Sequence, residues 1–73
     1  MNHTFTELFK QLGLASDQMG IESFLRSHQP LHAATRLEDA VFWTPSQSFF
    51  ITEQTIQDAD WAELIDQLSL ALR

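Results

Sequence analysis

The stretch Phe42-Trp43-Thr44-Pro45-Ser46-Gln47-Ser48-Phe49-Phe50-Ile51 decides how this chain folds. It places four aromatic rings within nine residues and holds a helix start among them. Thr44 is an N-cap whose hydroxyl accepts a free backbone N–H of the first turn. Pro45 then occupies the first helical position, where its missing N–H costs nothing and its fixed φ suits the helix. Gln47 stands three residues after the cap, so Thr44-x-x-Gln47 reads as a capping box. The β-branched residues that follow, Ile51, Thr52, Thr55 and Ile56, lower helix propensity, and a strand over Phe49–Thr52 competes. The explicit start signal favours a helix over 45–57.

Working outward, the downstream segment is the clearest helix. Asp58 caps it and Asp60 adds negative charge to its first turn, where the helix dipole favours it. Trp61, Leu64, Ile65, Leu68, Ala71 and Leu72 then form one apolar stripe, with Glu63, Asp66 and Gln67 away from its centre. This predicts a helix over 59–72, with Arg73 at the negative pole of the dipole.

Upstream, Thr4-x-x-Glu7 is a second capping box, and Phe5, Leu8, Phe9 and Leu12 fall at i, i+3, i+4 and i+7. Gly13 is placed as a C′ glycine, with Leu14 folding back over the last turn, so a helix is expected over about 5–12. Ser16 or Asp17 caps the next helix, about 17–28, whose stripe is Ile21, Phe24, Leu25 and His28 with Met19 beside it. Gly20 weakens that helix by about 1 kcal/mol relative to Ala. It marks either close contact between helices or a poor first turn. Pro30 stops the helix near His28. Residues 30–43 are expected to form an ordered loop that pins Leu31, Leu37 and Ala40 to the core, with a short helical turn at Leu37–Ala40. The prediction is therefore an all-α, compact bundle of four short amphipathic helices, a single helical domain over residues 1–73.

Composition narrows the function. A chain of 73 residues is one domain at most, and without cysteine neither a disulfide nor a thiolate metal site can staple it. A hydrophobic fraction of 44% argues against disorder. Ten acidic residues against four basic ones give a net charge of −6. Lys10, Arg26, Arg36 and Arg73 are scattered and form no basic face, which disfavours nucleic acid and an anionic membrane as partners. The acids are dispersed rather than in runs, which also disfavours mimicry of a nucleic acid. No apolar run approaches membrane-spanning length, and the N-terminal Met1-Asn2-His3-Thr4 carries no secretory signature. A cytoplasmic location is the expectation.

The motifs in order are Leu8-Phe9-x-Gln11-Leu12-Gly13-Leu14, His28-x-Pro30-Leu31, Phe42-Trp43-Thr44-Pro45-x-Gln47 and Asp58-Ala59-Asp60-Trp61-Ala62-Glu63. Together they resemble the domain-of-unknown-function family numbered 2789, over about residues 4–73. The resemblance implies a small stand-alone proteobacterial protein. It supplies no activity and no catalytic residue.

Chemistry-bearing clusters are sparse. His28 and His32 have the i, i+4 spacing of a helical metal pair, but Pro30 between them breaks that geometry, and His3 would have to converge from elsewhere. His28 is expected to close its helix and His32 to be a loop side chain. Asp58, Asp60 and Glu63 cluster around Trp61, yet a helix N-terminus lowers carboxylate pKa and so favours capping over acid–base work. There is no nucleophile elbow and no phosphate-cradling glycine loop. No cofactor, metal or catalytic site is predicted.

Protein contact is the function expected, as a homodimer or as an accessory partner. The candidate surface is Phe42, Trp43, Phe50 and Trp61, with Trp43 and Phe50 expected to be exposed. Against this, the rings could all be core, with Trp43 and Phe50 folded under the 30–41 loop, where a buried indole would need a partner for its N–H. If Trp43 lies on the surface, Trp43→Ala weakens association more than folding. The alternative function is binding of a small apolar or aromatic ligand in a pocket between helices.

Overall fold

In the computed structural model, which describes residues 4–73, each α-helix begins where a side-chain oxygen meets free backbone amides. Thr4 Oγ1 accepts from the Glu7 amide at 3.3 Å and opens α1, Phe5–Gln11. Asp17, rather than Ser16, caps α2, Gln18–His28, through the Gly20 amide at 3.0 Å. Thr44 opens α3, Pro45–Gln57, with both halves of its capping box formed. Asp58 Oδ1 accepts from Asp60 and Trp61 and opens α4, Ala59–Leu72. The β-branched residues of α3 are accommodated without a strand, and Thr55 turns its hydroxyl back to the Ile51 carbonyl at 2.7 Å.

Helix ends are closed by other parts of the chain. At the end of α1, Gly13 takes φ +72°. Its amide donates to Lys10 O and that of Leu14 to Phe9 O, a Schellman pattern that lays Leu14 against the core. The Leu12 carbonyl accepts from Gln47 Nε2 at 2.8 Å. Gln47 therefore caps α3 with its oxygen and ties α3 to the end of α1 with its nitrogen. At the end of α4, Leu72 O accepts the Leu31 amide at 2.6 Å and Ala71 O accepts from Gln29 Nε2. The Gln29–Pro30 peptide between these two residues is cis.

The loop after α2 is ordered. Arg73 donates to the carbonyls of His32 and Thr35 at 2.7 and 2.9 Å. A 3₁₀ turn forms at Leu37–Asp39, and Leu31, Leu37 and Ala40 are buried. The core is assembled from one face of each helix around α4, which contributes Trp61, Leu64, Ile65, Leu68 and Leu72. Leu8 and Phe9 of α1 and Ile51 of α3 close on it. α2 lies at the edge, with Ile21, Phe24 and Leu25 only half-buried. Among the described residues no helix is long and apolar enough to cross a membrane.

Gly20 is neither a poor first turn nor a contact between helices. A Cβ there would lie 2.6 Å from Ala15 Cβ, 2.6 Å from the capping Asp17 Oδ1 and 2.9 Å from the Ala15 carbonyl. The segment entering α2 passes too close for any side chain. Gly20→Ala, which should gain about 1 kcal/mol of helix propensity, is instead expected to lower stability by about 1–2 kcal/mol net through overpacking. Urea unfolding checks this, and a variant more stable than the parent would refute the close approach.

Candidate interaction surface and cleft

Of the four residues singled out as a contact surface, Trp43 and Trp61 are buried and Phe42 and Phe50 are half-buried. Trp43 is 8% exposed. Its Nε1–H donates to the Leu37 carbonyl at 2.8 Å, and its ring stacks on Phe24 with centroids 5.5 Å apart. The expectation of an exposed Trp43 is corrected here. The 3₁₀ turn brings a carbonyl to the indole, which removes the cost of burying its N–H. Trp61 is also buried. Phe50, expected to be exposed, is half-buried and meets Trp61 edge-on at 5.8 Å, against α4 rather than under the loop. Phe42 is half-buried among Phe24, Trp43 and His28.

The exposed apolar groups lie elsewhere. Phe49 is 65% and Ile56 77% exposed. At seven residues apart they share the outer face of α3, two turns or roughly 10.5 Å from one another along the axis. Ile51, fully buried, marks the opposite face. This pair was missed because Phe49, Phe50 and Ile51 are consecutive, at 100° steps around the helix. Composition does not say which of three adjacent apolar residues turns outward. The i, i+7 spacing of Phe49 and Ile56 was the available signal. Met19 on α2, Leu70 on α4 and Val41 in the loop are exposed singly.

His28 and His32 occupy the positions expected of them. His28 ends α2, and its Nδ1 donates to the Phe24 carbonyl at 2.8 Å. Its ring lies 4.2 Å from Phe24 and 4.4 Å from Phe42, centroid to centroid. His32 is an exposed loop side chain whose Nδ1 accepts the Ala34 amide at 3.0 Å. Both line a cleft of about 260 Å³ between the end of α2 and the 30–42 loop, together with Leu31, Ala40, Val41 and Phe42. This cleft lies between a helix end and a loop; a second, of about 230 Å³, lies between α3, α4 and the 3₁₀ turn.

Among the described residues no group of three His, Cys, Asp or Glu side chains is placed to hold a metal ion. His3, the third histidine weighed as a ligand, lies outside the described residues. Asp58 spends its carboxylate on two backbone amides, as a cap does. Arg36 donates to Asp39 at 3.0 Å and faces Glu38 at 3.9 Å. That hydrogen bond, with the charges of Asp39 and Glu38, raises its pKa above the ordinary value. The group is fully solvent-exposed, and surface pairs of this kind add little to stability.

These features define a small all-α domain of four short helices with an apolar pair on the outer face of α3. The chain belongs to the family described as protein of unknown function (DUF2789), which matches residues 1–72. No curated protein and no solved structure gives a significant match.

Proposed function

We propose that this protein is a cytoplasmic protein-interaction module that self-associates through the outer face of α3. The observation that carries the proposal is the exposed pair Phe49 and Ile56 on one helix face. Two copies packed antiparallel along α3 would set Phe49 of one against Ile56 of the other, twice, which is the self-complementarity a two-fold interface needs. Acids are sparse on this helix, and Glu53, which shares the face with Phe49 and Ile56, is hydrogen-bonded by Gln57 Nε2 at 2.7 Å. Glu53 is the one charged residue of α3, in a chain of net charge −6. Two such copies repel at long range, so their contact belongs where acids are sparse.

Sedimentation equilibrium across a wide concentration range is expected to give a dimer that dissociates on dilution. Added salt is expected to tighten it, because screening weakens the repulsion between like-charged copies. A basic protein partner would show the opposite salt dependence. Phe49→Asp is expected to raise the dimer Kd at least 100-fold, about 2.8 kcal/mol at ~1.4 kcal/mol per decade. The melting temperature of the monomer should be unchanged, since the residue is exposed. A strict monomer at every concentration, or a dimer indifferent to this substitution, overturns the proposal.

A further inference from the structure

The cleft beside His28 and His32 is independent of the α3 face, and its chemistry is specific. Its apolar walls are Pro30, Leu31, Ala40, Val41 and Phe42, Thr35 lines it as well, and Val41 stands 99% exposed at the margin. A volume of about 260 Å³ suits a single ring bearing one polar substituent. An apolar cavity of about 150 Å³ suffices for benzene, and sites for drug-sized ligands start at roughly 300 Å³. The walls are held before any ligand arrives. Leu31 is hydrogen-bonded to Leu72, and Arg73 fixes the His32 and Thr35 carbonyls. A preformed site spends little binding energy on ordering itself.

The two imidazoles set the polar requirement. The Phe24 carbonyl can only accept, so the proton of neutral His28 sits on Nδ1 and its Nε2 is an acceptor. The Ala34 amide can only donate, so His32 Nδ1 is unprotonated and its Nε2–H is a donor. The acceptor and the donor thus belong to two residues that line the same cleft, and a hydroxyl group offers a partner to each kind. An anion is disfavoured. Arg36 is engaged with Asp39 and Glu38, Arg73 with backbone carbonyls and Ser69, and the chain is acidic overall.

We propose that this cleft binds a small uncharged molecule with a single-ring apolar body and a hydroxyl head, held between His28 Nε2 and His32 Nε2. The test is an amide ¹H–¹⁵N titration of the labelled protein with phenol, toluene and benzoate. Phenol is expected to give saturable shifts centred on Leu31, Val41 and Phe42. Toluene, the same size without the hydroxyl, should bind at least tenfold more weakly, because it leaves both nitrogens without a partner. Benzoate should also be weaker.

His32→Asn keeps an oxygen acceptor for the Ala34 amide and removes the Nε2–H donor. It should lower phenol affinity at least fivefold while leaving the toluene response and the melting temperature unchanged. Val41→Asp, at a position too exposed to disturb folding, should weaken both ligands by putting a charge at the margin of the cleft. Non-saturable shifts, shifts centred on Phe49 and Ile56, equal binding of phenol and toluene, or phenol affinity unaffected by His32→Asn would each overturn the proposal.

Discussion

Trp43→Ala is expected to remove a large part of the chain's folding stability. Removing a buried Trp or Phe ring costs about 3–5 kcal/mol through lost transfer energy and the cavity left behind. A domain of this length holds about 4–11 kcal/mol in reserve at ~0.05–0.15 kcal/mol per residue, so the loss is a large share of the whole. The ring joins three parts of the molecule. It stacks on Phe24 of α2, contacts Phe42, and holds the 3₁₀ turn through Leu37. Trp43→Phe separates the ring from the hydrogen bond. It keeps most of the packing, and the Leu37 carbonyl still receives the Ala40 amide at 3.1 Å, so about 1 kcal/mol should be lost. Urea unfolding followed by near-ultraviolet circular dichroism measures both. A Trp43→Ala variant that kept its stability and lost only self-association would return Trp43 to the surface.

Phe9→Ala should be nearly as damaging, again by about 3–5 kcal/mol. Phe9 is completely buried and meets Phe24 edge-on at 5.4 Å. α1 has only seven residues, far below the length at which a helix persists alone in water. Its persistence rests on Leu8 and Phe9 as anchors and on the bond from Gln47 to Leu12. Hydrogen exchange should therefore show amide protection lost first in α1, then in the half-buried α2. Phe5, half-buried with its ring 6.3 Å from that of Phe9, is the control: Phe5→Ala should cost markedly less and leave α1 protected. Equal losses from the two substitutions would mean that α1 is not anchored through Phe9.

These two residues also mark where sequence reasoning succeeds and where it stops. Phe9 was legible as core because the stripe Phe5, Leu8, Phe9 and Leu12 has one apolar face and one polar face. Trp43 was not, because it lies outside any periodic element. An aromatic in a loop is core or surface according to whether the fold brings a partner to its N–H. Here the partner is Leu37 O, six residues back, and it is available only because the 3₁₀ turn points it inward. Phe49 failed for a related reason. It is adjacent to Phe50 and Ile51, and only the position of α4 against α3 decides which of the three faces water.

By itself the sequence determined the helices and their limits, the turn at Gly13 and the all-α class. Those depend on contacts within about five residues: Thr4, Asp17, Thr44 and Asp58 on nearby amides, Gly13 on its own φ, and apolar side chains repeating at 3.6 residues. Only the tertiary structure decided the surface. The stacking of Phe24 on Trp43, the outward turn of Phe49 and Ile56, the second hydrogen bond of Gln47 and the closing of Ala40–Phe42 against His28 all depend on segments distant in the chain. No local pattern encodes them, because each depends on where a second element comes to rest and on which buried polar group needs a partner there.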